Sequence, residues 1–320
     1  MEALDVVALG ELLIDFTCLS ADAGGYPTMA AHPGGAPANY LAALAKFGAK
    51  CALLAKVGAD AFGRRLIATL RSAGIGTRGI VTAEDVFTTL AFVTLDDSGD
   101  REFSFARKPG ADTQLRFEEL DLSLLDSARV LHFGSLSLTD EPARAATRRA
   151  VEYARARGKL LSFDPNLRRP LWRSEEQARE QMLWGLSRAD VVKLSEEEAS
   201  FLFGADPAAC ARLLLTDFGV KLVFVTLGAE GCLAANAAAA VRVPALSGVP
   251  IRDTTGAGDI FGGSAMSRLL ALGKAPEALT EAELTAVARF ACAAATLSAS
   301  RPGGIESVPA LAEVRAALGE

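Results

Sequence analysis

The chain has 320 residues, 50% of them hydrophobic and 22% charged, and a mean hydropathy of +0.25, which supplies a substantial core and excludes disorder as the main theme. Lys and Arg total 33 against 39 Asp and Glu, a net charge of −6 with an isoelectric point near 5.2, so the sequence encodes no electrostatic footprint for nucleic acid or an anionic membrane. Five cysteines without a CxxC pair and only two histidines exclude a disulfide framework and a structural zinc site, and fit a reducing, cytoplasmic setting.

The N-terminal MEALDVVALGELLID carries three acidic residues by position 11 and no basic region, so it does not read as a signal peptide. The longest charge-free stretch, 23–45, holds four Gly and three Pro, unlike a membrane span. In chain order, LDVVALGELL reads as a strand before the helical PANYLAALAKFG, AKCALLAKVG as a strand before AFGRRLIATLRSAG, and ARVLHFGSL before EPARAATRRAVEYARARG. KLLSFDPN then precedes SEEQAREQMLWGLSRA, ADVVKLS precedes EEEASFLFG, and KLVFVTLG closes the series. Strands apolar on both faces, alternating with amphipathic helices, predict a doubly wound, mostly parallel α/β sheet with helices on both faces.

Two segments break the alternation. Residues 16–33 are Gly- and Pro-rich without helical periodicity, and TTLAFVTLDDSGDREFSFAR (88–107) reads as strand, Asp-Asp-Ser-Gly turn, strand. Together they predict a small β lid, with 1–15, 34–87 and 108–320 forming the α/β core. An antiparallel extension of the main sheet is the alternative. The Ala-rich CLAANAAAAVRVPAL looks helical by composition, yet its place after a Gly turn makes two short strands the preferred reading. No repeat or linker marks a domain boundary.

The sharpest local feature is IRDTTGAGDIFGGSAMSRLLALG: a strand end, a Gly-rich turn at 256–258, then a helix with Met266, Leu269 and Leu270 at helical spacing. Gly256 and Gly258 let backbone approach a ligand, and first-turn N–H groups aim the positive end of the helix dipole at it, which makes an anion hole. Asp259 in that turn is either a dipole-stabilising residue or a base. The loop matches neither nucleotide fingerprint: G-x-G-x-x-G would require Gly where Phe261 stands, and no G-x-x-x-x-G-K-[ST] occurs. A carboxylate beside an anion nest suits deprotonating a hydroxyl while charge on a transferring phosphoryl group is stabilised.

GELLID, HPGGAPANYLAALAKFGAKCALLAKVGADAFG, SFDPNLRRPLW, VVKLSEEE, VTLGAEG and DTTGAGDIFGG occur in the order and spacing of the ribokinase-like (PfkB) carbohydrate kinases, and the chain resembles that family over nearly its whole length. The resemblance implies Asp259 as catalytic base and Gly256, Ala257 and Gly258 as anion hole. It implies Asp15, Gly34, Gly35 and Asn39 as contacts to sugar hydroxyls, and Asn166, Lys193, Ser195, Thr226, Gly228 and Gly231, with Gly256 and Gly258, as contacts to ATP. Asp164, Asn166 and Arg168 in DPNLR resemble family residues near the transferring phosphate and the substrate, where an Arg fork suits phosphate. Read alone, Gly34-Gly35 is a turn before a helix, Asn39 an ordinary helix residue, Asp15 a strand-end turn former and the Gly228/Gly231 pair a tight turn.

Related kinases usually carry Asn-x-x-Glu where this chain has Ser195 and Glu198, so the resemblance assigns magnesium and its waters to Glu198 and leaves Ser195 open. It further implies a potassium site built from Asp253, Thr255, Ser298, Arg301, Gly303 and Ser307. For the acceptor, REFSFARKPGAD and AHPGGAPAN resemble bacterial fructokinases, implying ATP-dependent phosphorylation of a ketose hydroxymethyl group, fructose to fructose 6-phosphate. Arg107 and Arg168 would meet the acceptor; in 2-keto-3-deoxygluconate kinases arginines at such places meet an acidic sugar. That activity, a nucleoside kinase and a non-catalytic sugar- or nucleotide-binding protein are the alternatives. A homodimer through the lid is the one protein partnership implied.

Overall fold

The computed structural model describes residues 3–95 and 101–320. In chain order its strands are β1 (Leu4–Leu9), β2 (Leu13–Ala21), β3 (Pro27–Gly34), β4 (Cys51–Gly58), β5 (Ile80–Ala83), β6 (Leu90–Leu95), β7 (Arg101–Ala106), β8 (Ala128–Gly134), β9 (Leu160–Asp164), β10 (Val191–Ser195), β11 (Leu222–Thr226), β12 (Cys232–Asn236) and β13 (Ala240–Val243). The helices are α1 (Ala36–Lys46), α2 (Ala61–Ser72), α3 (Leu122–Ser127), α4 (Ala143–Arg155), α5 (Glu175–Leu186), α6 (Glu196–Phe203), α7 (Pro207–Thr216), α8 (Ala257–Leu272), α9 (Glu281–Ala299) and α10 (Leu311–Leu318).

A nine-stranded sheet runs in the order β13-β12-β11-β10-β9-β8-β1-β4-β5. Pairing is parallel from β5 to β11, and β12 and β13 join antiparallel. In β1, Val6 and Ala8 face a core shared with α1, α8 and α9, while Val7 and Leu9 face one shared with α4, α5 and α7. The doubly wound, helix-covered sheet expected from strands apolar on both faces is therefore the fold. Chain order reverses between β1 and β8, and the crevice rule for open sheets places a ligand at the carboxyl ends of strands beside such a switch.

The small sheet is separate, with order β3-β2-β6-β7, so the alternative of an extension to the main sheet does not hold. Segment 16–33 belongs to an antiparallel hairpin rather than an irregular stretch. Its alternation was obscured by Gly and Pro, and its pairing to β6 across the chain supplies what local pattern lacked. The Asp-Asp-Ser-Gly turn at 96–99 lies outside the described residues. The Ala-rich stretch forms β12 and β13, with Asn236 turning between them and holding the carbonyls of Pro276 and Leu279. Residues 251–254, read as a strand end, have no regular structure: Arg252 and Asp253 donate to the carbonyl of Ala299 at 2.8 and 3.0 Å instead of joining a sheet.

Candidate active site

The β3–α1 junction must be glycine because two other segments touch it. A Cβ on Gly34 would lie 2.0 Å from Asp15 Oδ2, and one on Gly35, at φ 113°, would lie 2.5 Å from the Glu11 carbonyl oxygen. Pro37, the second residue of α1, brings a φ already fixed in the helical range. The first turn delivers Asn39, whose Nδ2 donates to Asp259 Oδ2 at 2.9 Å, while its Oδ1 is buried without a partner. Asp15, opposite His32 in the β2–β3 ladder, has its carboxyl pushed up to about 6 by burial, with Arg168 pulling against that shift.

At the opposite wall Gly256 begins α8 in the left-handed region, φ 73°, where a Cβ would lie 2.9 Å from Asn39 Nδ2. Asp259 is buried in the first turn of α8. Burial, reinforced by Asp164, raises its carboxyl from the ordinary 3.8 to about 7 against the pull of Lys193, Asn39 and Arg168. Asn166 Nδ2 stands 3.5 Å from Asp259 Oδ1, a weak contact, and Asn166 holds φ 45°, a left-handed conformation that costs a non-glycine residue about 1 kcal/mol. Strain of this kind persists only where surrounding contacts fix it; here the Asn166 N–H donates to Asp164 Oδ1 at 3.1 Å.

Lys193 Nζ donates to Asp164 Oδ2 at 3.0 Å and lies where a Cβ on Gly258 would come within 2.8 Å. Although burial opposes the charge, Asp164, Glu198 and Asp259 hold the ammonium above its usual range. Ser195 and Glu198 form a capping box on α6: Glu198 N donates to Ser195 Oγ at 3.1 Å and Ser195 N to Glu198 Oε2 at 2.8 Å. Leu167 N donates to Glu198 Oε1 at 2.7 Å, so the carboxylate also fastens the DPNLR loop. Burial and Asp164 raise its pKa. Ser195 lies beside Thr226 in the β10–β11 register, and Gly228 and Gly231, both at positive φ, close the turn after β11. A Cβ on Gly231 would sit 2.0 Å from the Val243 carbonyl oxygen.

Asp253 joins the two segments expected to hold a monovalent cation, accepting Thr255 N at 2.9 Å and Gly303 N at 3.0 Å. Ser298 and Ser307 lie buried in the second segment, their hydroxyls donating to Ala295 and Gly304 carbonyls. The Arg301 guanidinium turns away to Glu313, leaving only its backbone for such a role. Among the described residues no group of three or more His, Cys, Asp or Glu is placed to cage a metal. The carboxylates Glu198 and Asp164, each already engaged, fit a divalent ion held chiefly by a nucleotide and reached through water.

Arg107, expected at the acceptor, is engaged by protein groups. Arg107 is 5% exposed; its Nε and Nη2 donate to Asp112 Oδ2 at 2.8 and 2.6 Å, its Nη1 to Thr139 Oγ1 at 2.8 Å and its Nη2 also to the Leu136 carbonyl at 2.9 Å. The guanidinium thus faces protein groups beneath the small sheet, with its charge matched by Asp112. Sequence reading also missed Asp112 and Glu11. Glu11 Oε1 accepts Ala36 N at 2.9 Å, and burial lifts its carboxyl to about 7. An acid inside the apolar run ALGELLI was its only signal. His132 is buried, stacked on Tyr40 at 3.6 Å with its Nδ1 3.0 Å from Ser162 Oγ, and desolvation lowers it to about 3.

The model of the pfkB family of carbohydrate kinases matches residues 3–311. Fructokinase-1 of Zea mays is 42% identical over 313 residues, covering 97% of this chain and 96% of that protein. Probable fructokinase-4 of Arabidopsis thaliana is 40% identical over 316 residues, covering 98% and 96%. Among solved structures, fructokinase with bound ATP from Xylella fastidiosa superposes with a TM-score of 0.90 at 32% identity, covering 98% of each chain. A putative ribokinase II from E. coli in complex with ATP and Mg2+ gives 0.86 at 28%, covering 99% of each. A fructokinase double mutant from Vibrio cholerae with fructose, ADP and potassium gives 0.86 at 30%, also covering 99% of each.

Proposed function

The chain belongs to the pfkB family of carbohydrate kinases, and from that premise we propose that it is a fructokinase, transferring the γ-phosphoryl group of ATP to the 6-hydroxyl of fructose. The observation that carries the chemistry is Asp259: a buried carboxyl raised to about 7, in the first turn of α8, directly after the Gly256-Ala257-Gly258 turn. A base with that pKa is substantially ionised at neutral pH and basic enough to take a hydroxyl proton as the oxygen attacks phosphorus. That proton passes to an Asp259 oxygen; the bond from the sugar oxygen to phosphorus forms as the bond from phosphorus to ADP breaks. The N–H groups of Gly256, Ala257 and Gly258 stabilise charge on the phosphoryl oxygens as it develops.

Asn39 orients Asp259 with its amide and offers its free Oδ1 to a sugar hydroxyl; Asp15 takes another from the small sheet, which acts as the lid. Arg168, whose charge bears on both Asp15 and Asp259, lies between acceptor and phosphoryl group. ATP lies along the ends of β10 and β11, against Lys193, Ser195, Thr226 and the 228–231 turn. Bound Mg2+ would neutralise phosphate charge, with Glu198 meeting its waters; K+ would be held by carbonyls of 253–255 and 298–307. Fructose is favoured over 2-keto-3-deoxygluconate because Asp112 already neutralises Arg107, which leaves Arg168 as the one arginine of the pair to meet a carboxylate. The same reading places the enzyme in the cytoplasm, and as a dimer through the lid, where Leu19 and Tyr26 stand 66% and 74% exposed. Incubation with ATP, Mg2+ and fructose, followed by phosphorus NMR, tests it: a fructose 6-phosphate resonance supports the proposal, and release of inorganic phosphate alone refutes it.

A further inference from the structure

Four stretches of chain pass between the main sheet and the small one: 10–13 into β2, 34–36 out of β3, 88–90 into β6 and 106–110 out of β7. Side chains bind these crossings together in pairs. Glu11 ties the first to the second through Ala36 N at 2.9 Å. Asp112 ties the third to the fourth: one oxygen accepts the Thr89 hydroxyl, and the other takes two N–H groups of Arg107. Arg107 also reaches the main body, donating to Thr139 Oγ1 and the Leu136 carbonyl just after β8. The third crossing has a second anchor, since Thr88 N donates to Asp60 Oδ2 at 2.8 Å and Gly58 N to Thr88 Oγ1 at 3.0 Å.

Both side chains of the Arg107–Asp112 pair are 3% exposed. Burying such a pair gives little net stability, because desolvation offsets the attraction. What it supplies is direction, because a planar fork on a carboxylate fixes the relative placement of the segments that carry it. Placement matters here. Asp15 pairs with Ala91 of β6, and Ala91 with Phe105 of β7, so the base of β7 sets a row that runs through Asp15 to His32 of β3.

We propose that Arg107, Asp112 and Thr89 are positioning residues that form the pivot of the small sheet. They set the angle at which Asp15 meets the acceptor and do not touch the acceptor themselves. The kinetic part rests on the function proposed above; the pivot itself rests on the geometry of the four crossings. The test joins steady-state kinetics on fructose and ATP with amide hydrogen exchange of the nucleotide-free protein, for the wild type and for Asp112→Asn, Thr89→Val and Arg107→Lys.

Asp112→Asn is expected to raise KM for fructose at least tenfold and leave KM for ATP within twofold. Exchange should speed up together in 13–34, 90–95 and 101–106, with β9 to β11 unchanged. Thr89→Val should show the same pattern more weakly, and Arg107→Lys, keeping charge without the fork, should recover part of it. Unchanged exchange in the small sheet would overturn the pivot, as would faster exchange throughout the protein or a parallel rise in KM for ATP. Should Asp112→Asn fail to fold, Thr89→Val carries the same comparison. A wild type inactive on fructose refutes the proposed function, and the exchange pattern still decides the pivot.

Discussion

Replacing Asp259 with Asn should inactivate the protein and, at alkaline pH, stabilise it. A carboxyl shifted by burial from 3.8 to about 7 is neutral in the folded state over a range where the unfolded chain ionises it. Its contribution to stability is therefore complete below about pH 4 and lost as pH rises to about 7; two pH units inside that window correspond to roughly 2.7 kcal/mol. Asn does not titrate. The new amide N–H must face the amide of Asn39 or Asn166, a pH-independent penalty of about 1–2 kcal/mol. The stability of Asp259→Asn relative to wild type should consequently rise by about 2–3 kcal/mol between pH 5 and pH 8. Urea unfolding of both proteins at the two values, without nucleotide, measures this. In parallel, kcat should fall by about two to four orders of magnitude, or roughly 3–5 kcal/mol of barrier, with ATP affinity nearly intact. A relative stability independent of pH would refute the buried, raised carboxyl, and more than a third of wild-type kcat would remove Asp259 as the base.

Gly34→Ala, which drives a Cβ to 2.0 Å from Asp15 Oδ2, should raise KM for fructose far more than KM for ATP; equal effects would count against Asp15 as an acceptor contact. Gly231→Ala, at φ 96° and 2.0 Å from the Val243 carbonyl, should do the reverse and lower stability by about 2–3 kcal/mol, as thermal unfolding and ATP titration would show. Potassium should accelerate turnover relative to a large organic cation at equal ionic strength, because it would shape the 253–255 segment leading into the anion hole. Identical rates in the two salts would dismiss the cation site.

The parallel sheet was legible because its strands are apolar on both faces, a pattern that helices on either side require. The edge strand β5 was missed, since four residues of mixed exposure carry no such signature. The glycines at 34, 35 and 256 were legible as glycines, but the reason each is needed lies in distant atoms: Asp15, the Glu11 carbonyl and Asn39. The partners of Arg107 were hidden for the same cause. A basic residue ending a strand of the small sheet resembles a ligand contact in sequence, and only the fold places Asp112 and Thr139 around it. Glu11, whose partner Ala36 lies 25 residues away, showed only as an acid in an apolar run, with nothing to name its partner. Contacts closed by tertiary structure are what one sequence hides.

The central claim is most directly tested by kcat/KM for ATP-dependent phosphorylation of fructose, 2-keto-3-deoxygluconate, ribose and adenosine, measured in one coupled assay with Mg2+ and K+ present. The account predicts fructose ahead of 2-keto-3-deoxygluconate by at least about tenfold, equivalent to ~1.4 kcal/mol of transition-state discrimination, with ribose and adenosine lower still. A preference for the keto-acid that disappears in Arg168→Ala would contradict it, because that arginine would then serve a carboxylate.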